Sequence, residues 1–331
     1  MNDMILTING KSYKLVPTDE QLEERLNTPS VHQDTNRHIT AYVCQLVNEL
    51  QASGRHRTSE TYRSALNSLL RYLAGNDIQL CDINGALMCD YERYLRARGV
   101  SSNSASFYLR VLRTIYNRAV TEGLVIDRKP FARVYTGIGK TSKRAVPLDI
   151  IKRINNMDRL SPAQAFARDI FLFSFYTRGM SFVDIAYLRP GNIKCGILTY
   201  RRHKTGQELT MRMEPQIQEI IDRNPSPNPD YLLPIIKRSN GCERSQYRES
   251  QRMVNCMLHD IGCRLQLTSK LTFYCARHSW ASIAHTMNIP LPIISEGMGH
   301  SSERTTRIYL KSLDHNRIDS LNASIIQAVD E

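Results

Sequence analysis

Several things that a chain of 331 residues often carries are scarce or missing here. There are eight cysteines, at positions 44, 81, 89, 195, 242, 256, 263 and 275, but no two of them form a C-x-x-C pair. That scatter excludes the common zinc spacings and a disulfide framework, and it predicts reduced, mostly buried thiols. No early apolar run has the make-up of a signal peptide, and none reaches the length of a membrane span. The expected place is therefore the cytoplasm. Acidic residues are also in deficit: Asp plus Glu number 32 against 44 Lys plus Arg, giving a net charge of +12. An excess of that size points to a polyanionic partner, most often nucleic acid. The 41% apolar and 23% charged content is that of a folded chain, with length enough for two domains.

Periodicity organises the first third. ILTING and SYKLV suggest a small hairpin near the N-terminus, to which no function is assigned. Tyr62, Leu66, Leu69, Leu70 and Leu73 then fall on one helical face, and Tyr108, Leu112, Ile115, Tyr116 and Ala119 repeat the pattern. Thr58, Glu60 and Thr61 suggest a cap for the earlier helix, and SSNSAS for the later one. Helices are predicted at about 36–51, 58–74, 86–98 and 102–122.

The stretch RKPFARVYTGIGKTSKRAVP breaks this pattern with two prolines, two glycines and a run of Lys and Arg, just downstream of Arg118. It reads as a basic interdomain linker that could track a phosphate backbone. GIGKTS within it ends like a phosphate-binding P-loop, but Val134 stands where that motif needs its first glycine. Nucleotide binding is excluded there. Beyond the linker the chain is again mostly helical, apart from GILTYRR and QELTMRM, which flank HKTG as a β-hairpin turning at Thr205-Gly206. Further helices are predicted at about 214–223, 246–264, 274–287, 290–298, 303–311 and 316–329.

The chemistry concentrates in the second half. Cleaving a phosphodiester needs an in-line nucleophile, positive charge on the non-bridging oxygens and a proton for the departing oxygen. The barrier reduction required approaches ~20 kcal/mol. Guanidinium groups suit the charge because they are planar, permanently cationic and bidentate towards phosphate. GHSSERTTRIY offers His300 and, nine positions later, Tyr309; TFYCARHSWA holds Arg277, HKTGQ holds Lys204 and FYTRGMSFVD holds Arg178. Each alone reads as an ordinary surface or core residue, and only the combination carries weight.

In that combination the chain resembles the tyrosine recombinases of the phage integrase type, over roughly residues 34–329. The family's L-G-H-x-S block with a tyrosine nine residues past its histidine appears as MGHSS and Tyr309, its R-H-(S/T)-(F/W)-A as Arg277 to Ala281, and its hairpin K-T-G as Lys204 to Gly206. FYTRGMSF further resembles the Bacteroidetes-type integrases. The resemblance implies a mainly α fold with a small β-hairpin or sheet, arranged as a two-domain clamp on DNA. An N-terminal extension (1–33) would precede a helical core-type DNA-binding domain (34–127), a basic linker (128–146) and a catalytic domain (147–331) ending in an oligomerisation helix at about 316–329.

The implied activity is site-specific recombination, of integrase or invertase type, without metal, ATP or other cofactor. Tyr309 would form a 3′-phosphotyrosine, Arg277 would be the second arginine clamp, His300 would hydrogen-bond the phosphate and Lys204 would protonate the leaving 5′-oxygen. Two positions depart from the family pattern. Tyr274 replaces a histidine three residues before Arg277, and in the G-x-R-x-x-E frame Ser181 stands where the first arginine belongs, with Asp184 for the glutamate. Arg178, three residues before Ser181, is the expected substitute if both lie on one helical face. Arg55, Arg57, Arg110, Arg113, Lys140 and Lys143 are candidate DNA contacts. Partners would be double-stranded DNA, three further copies in a tetramer on DNA, and a host DNA-bending protein. Two alternatives stand beside this reading: a non-cutting DNA-binding protein of the same fold, and a type IB topoisomerase.

Overall fold

The computed structural model describes residues 37–139, 144–300 and 302–307, with the backbone of two short strands near the N-terminus. The chain divides into two compact units, Met1–Thr141 and Ser142–Glu331. Lys140, Lys143, Tyr309 and the helix expected at 316–329 lie outside the described residues.

In the first unit β1 (Met4–Ile8) pairs antiparallel with β2 (Lys11–Leu15), which is the hairpin expected from ILTING and SYKLV. Four helices follow: α1 (Ile39–Ala52), α2 (His56–Tyr72), α3 (Gly85–Ala97) and α4 (Ser102–Thr121). Their apolar stripes meet in one core, where Tyr42, Leu46, Leu69, Tyr91, Leu109 and Ile115 are fully buried. Burying Tyr91 strands a hydroxyl, and the Tyr91 OH donates to Ser68 Oγ at 2.7 Å to satisfy it. Ser101 caps α4 by accepting from the Ser104 N–H, as SSNSAS suggested. The cap expected for α2 is not used: the helix starts at His56, so Thr58 lies inside its first turn.

The linker reading needs correction over its first half. Phe131 and Val134 are buried in the core of the first unit. Asn103 on α4 accepts from the Gly139 N–H at 2.7 Å and donates to its carbonyl at 3.2 Å. The Tyr116 hydroxyl donates to the Ile126 carbonyl and accepts from the Arg128 N–H, both at 3.1 Å. Two apolar anchors and these bonds hold the segment against α4 despite its glycines and basic charge. Arg118 is committed to Glu49 and Glu122, at 2.7 Å each.

The second unit opens with α5 (Leu148–Asn155), α6 (Pro162–Tyr176) and α7 (Phe182–Ala186). Ser161 and Gln164 form a capping box at the start of α6 with proline in its first turn, a signal for where the helix begins. A three-stranded antiparallel sheet comes next, in the order β3 (Ile193–Lys194), β4 (Ile197–Arg201), β5 (Glu208–Arg212). The β4–β5 turn is the one expected at Thr205-Gly206, with the Gly206 N–H donating to the Arg202 carbonyl at 2.8 Å. The remaining helices are α8 (Pro215–Arg223), α9 (Glu243–Arg264), α10 (Phe273–Thr286), α11 (Leu291–Gly297) and α12 (Glu303–Arg307). Their core gathers around α6, whose Ile170, Phe171 and Phe173 are fully buried.

The cysteines also differ from expectation. All eight are free, but only Cys275 is buried, while Cys44, Cys195, Cys242, Cys256 and Cys263 are exposed. A thiol is small enough to sit on a polar helix face without a large apolar penalty, so scatter says little about burial. No helix among the described residues is long and apolar enough to cross a membrane.

Candidate active site

The site is built around Arg277, on the buried face of α10, with only 4% of its surface exposed. A buried guanidinium requires acceptors, and the backbone supplies two. One Arg277 nitrogen donates to the Gly179 carbonyl at 2.5 Å; the other donates to the Met298 carbonyl at 2.8 Å and lies 2.8 Å from His300 Nε2. Each acceptor comes from a different turn, so the arginine ties three segments together.

The first of these turns follows α6. Thr177 bonds back to the Phe173 carbonyl at 2.6 Å, and the Gly179 N–H to the Ser174 carbonyl at 2.7 Å. Arg178 and Gly179 then take left-handed φ values of 60° and 77°. Glycine is required at 179 for space as well as backbone: a Cβ there would lie 2.9 Å from Arg277 Cα. This geometry corrects the helical-face argument for Arg178, which sits in a turn between α6 and α7. It reaches the site by another route, its side chain running beside Gly297 at the end of α11, with Cδ 3.6 Å from where a Cβ would be.

Ser181 has a structural task that an arginine could not perform. It caps α7, and its hydroxyl donates to Asp184 Oδ2 at 2.6 Å. Asp184 Oδ1 in turn accepts from the His203 N–H at 2.8 Å, so this carboxylate fastens the base of the hairpin carrying Lys204. Lys204 itself is exposed at the turn.

Arg202 escaped the sequence reading. Leu198, Tyr200 and Arg202 alternate inward along the strand, and all three are buried. An arginine in phase with an apolar strand face was the available signal. Its guanidinium donates to the Gly299 carbonyl. Gly299 has φ 66°, and a Cβ there would meet Leu209 Cδ1 at 2.8 Å and Arg202 Cδ at 2.9 Å, which explains the glycine before His300. Burial, and then Asp184, push the Tyr200 phenol up, whereas Arg277, Arg202 and Arg178 pull it down.

His300 is held on both sides, with Nε2 facing Arg277 and Nδ1 2.8 Å from the hydroxyl of the fully buried Thr306 on α12. Burial first, then Arg277, Arg202 and Lys204, lower its pKa from 6.5 to about 4. The imidazole is thus neutral near pH 7. Because the folded value lies below the unfolded one, the stabilisation is complete above about pH 6.5, declines as pH falls and is gone below about 4. Urea unfolding of the second unit should weaken over that window, and His300→Gln should flatten part of the decline. An equally steep decline in the variant would assign it to other groups.

Tyr274 is 44% exposed and lies on the same helix as Arg277; its ring stacks edge-on against that of His278, with centroids 4.8 Å apart. The structure thus brings together Arg277, His300, Lys204 and Arg178, adds Arg202, and keeps Tyr274 on the adjoining surface. Arg55, Arg57, Arg110 and Arg113 belong to the first unit, where Arg57 pairs with Glu60 at 3.2 Å and Arg113 donates to Thr136 at 3.0 Å.

The described residues thus form a mainly helical chain with a small antiparallel sheet and a buried arginine–histidine pair. Residues 38–137 match the phage integrase SAM-like domain and residues 146–316 match the phage integrase family. The tyrosine recombinase XerA of Pyrococcus furiosus is 25% identical over 222 residues, covering 66% of this chain and 72% of that protein. Among solved structures, a lambda integrase tetramer bound to a Holliday junction superposes with a TM-score of 0.63 at 16% identity, covering 91% of this chain and 90% of that one. The Tn1549 transposon integrase in complex with transposon right end DNA gives 0.62 at 14%, covering 86% and 98%. The chain belongs to the phage integrase family: it is a tyrosine site-specific recombinase, an enzyme that cleaves and rejoins DNA.

Proposed function

We propose that cleavage proceeds by attack of the Tyr309 hydroxyl on a DNA phosphorus, forming a 3′-phosphotyrosine as the bond to the 5′-oxygen breaks. The observation that supports this most strongly is the buried Arg277 guanidinium, fixed by two carbonyls and set against neutral His300. Such preorganised charge stabilises the crowded phosphorus without reorganisation cost at the moment of reaction. Lys204, at the exposed hairpin tip, gives its proton to the departing 5′-oxygen. Neutral His300 is able to take the phenol's proton or to hydrogen-bond the phosphate. Arg178, assisted by Arg202, supplies the positive charge that Ser181 lacks, and Tyr274 offers its hydroxyl to the phosphate.

Arg55, Arg57, Arg110, Arg113, Lys140 and Lys143 contact the DNA backbone, and the enzyme works as a tetramer in the cytoplasm, on the nucleoid. Solved integrases bound to DNA as dimers and tetramers support the assembly. The stripe Ile318, Leu321, Ile325 and Val329 would dock on a neighbouring copy. A host DNA-bending protein would assist.

The test uses a nicked duplex made from the recombination site, which inverted repeats or attachment sites in the DNA flanking the gene would identify. Wild-type protein should accumulate a covalent complex on it. Arg178→Ala should form that complex about 10²-fold more slowly or worse, with DNA affinity little changed. Wild-type protein that binds the duplex without forming the adduct would support the non-cutting alternative, and unimpaired cleavage by Arg178→Ala would remove that residue from the site.

A further inference from the structure

Thr306 carries no role in the reaction as read so far, although its surroundings give it one. Arg277 has only donors, so the His300 Nε2 that faces it at 2.8 Å must present its lone pair. In a neutral imidazole the proton then sits on Nδ1, 2.8 Å from the Thr306 hydroxyl oxygen, which accepts it. Thr306 is fully buried on the short helix α12, three residues before Tyr309 in sequence, so no water competes for that bond. Either reversal of the tautomer would set the Nε2 proton against a guanidinium proton and leave Nδ1 facing the hydroxyl as an acceptor. The first of these is repulsive and the second is not, because a hydroxyl donates as readily as it accepts; Arg277 therefore selects the tautomer, and Thr306 supplies the acceptor for the resulting Nδ1–H.

We propose that Thr306 is a positioning residue: it accepts the Nδ1 proton that the Arg277 contact dictates and so holds the His300 ring in place, with Nε2 a proton acceptor in the free enzyme. The proposal rests on His300 acting in cleavage and deepens that reading. It has a mechanistic consequence. When a phosphate oxygen takes the Arg277 N–H that faces Nε2, the guanidinium still held by its two carbonyls, His300 offers the site a lone pair, and so accepts a proton from the phenol more readily than it donates one to the phosphate.

Two measurements test this. In wild-type protein labelled with ¹⁵N-histidine, the His300 shifts should show a protonated Nδ1 and a bare Nε2 at pH 7. Thr306→Val keeps the shape but removes the acceptor; Thr306→Ser keeps the hydroxyl. The valine variant leaves the Nδ1–H without its acceptor, so it should shift or broaden the His300 ring signals and form the covalent complex about 10- to 100-fold more slowly, the range for partners that orient an imidazole. The serine variant should recover most of the wild-type rate. A wild-type spectrum of the opposite tautomer, or valine and serine variants indistinguishable from each other in rate, overturns the proposal. If Thr306→Val does not fold, the wild-type spectrum and the serine variant still decide. His300→Ala separates the two levels: no loss of cleavage there would overturn the role of His300 itself, whereas a large loss with an unaffected Thr306→Val would overturn only the role of Thr306.

Discussion

Tyr309→Phe should abolish the covalent protein–DNA complex and leave DNA affinity within about twofold of wild type, since one uncharged hydroxyl adds little beside many phosphate contacts. The substitution removes a single oxygen, and that oxygen is the one that would bond to phosphorus. In the proposed reaction a lysine or histidine adduct is not expected in its place, since it would require Lys204 or His300 to abandon their proton and charge roles. The measurement is denaturing gel electrophoresis of the nicked duplex after incubation, with mass spectrometry of the tryptic adduct from wild-type protein. An adduct that persists in the phenylalanine variant, or that maps to another tyrosine, would relocate the nucleophile.

Arg277→Ala should have an effect almost as large and should affect stability as well. Losing a preorganised guanidinium at a transferring phosphoryl group costs about 10³-fold or more in rate. The same change strips donors from the Gly179 and Met298 carbonyls, both in buried residues, at about 1–3 kcal/mol for each group left unsatisfied. It also takes away the cation that lowers the His300 pKa after burial. Arg277→Lys retains charge, but one ammonium does not span two carbonyls and an imidazole, so it should recover stability only in part and cleave about 10²-fold below wild type. Single-turnover adduct formation and urea unfolding read the two effects separately. An alanine variant that cleaves at the wild-type rate would show that Arg277 is a structural tie and no part of the chemistry.

Much of this protein was legible from local pattern. The four helices of the first unit lie within a few residues of their apolar stripes, because a stripe at helical spacing can be buried in only one conformation. The hairpin around Thr205-Gly206 announced itself through its turn. The motif residues Arg277, Lys204 and His300 were identified one by one. The helices at α5, α6 and α7 received no individual boundaries, since the continuous apolar run of α6 lacks a polar face when it is buried all round.

What local pattern did not hold were the residues whose meaning depends on distant neighbours. Arg178 was placed on a helix and sits in a left-handed turn shaped by Ser174, Thr177 and Gly179. Phe131 and Val134 looked like parts of a linker because composition does not show that a core waits for them. Arg202 and Thr306 gain significance only because Gly299 and His300 approach them.

Taken alone, the amino-acid order determined which segments coil or pair, the surplus of positive charge and the set of groups able to perform phosphoryl transfer, because each follows from neighbours a few residues apart. Tertiary structure alone decided which of the described groups come together, that Ser181 is a helix cap and that the His300 imidazole is buried against Arg277 with its pKa lowered. The physical reason is distance: burial, field and hydrogen-bond partner depend on groups nearly a hundred positions away, such as Gly179 for Arg277 and Gly299 for Arg202.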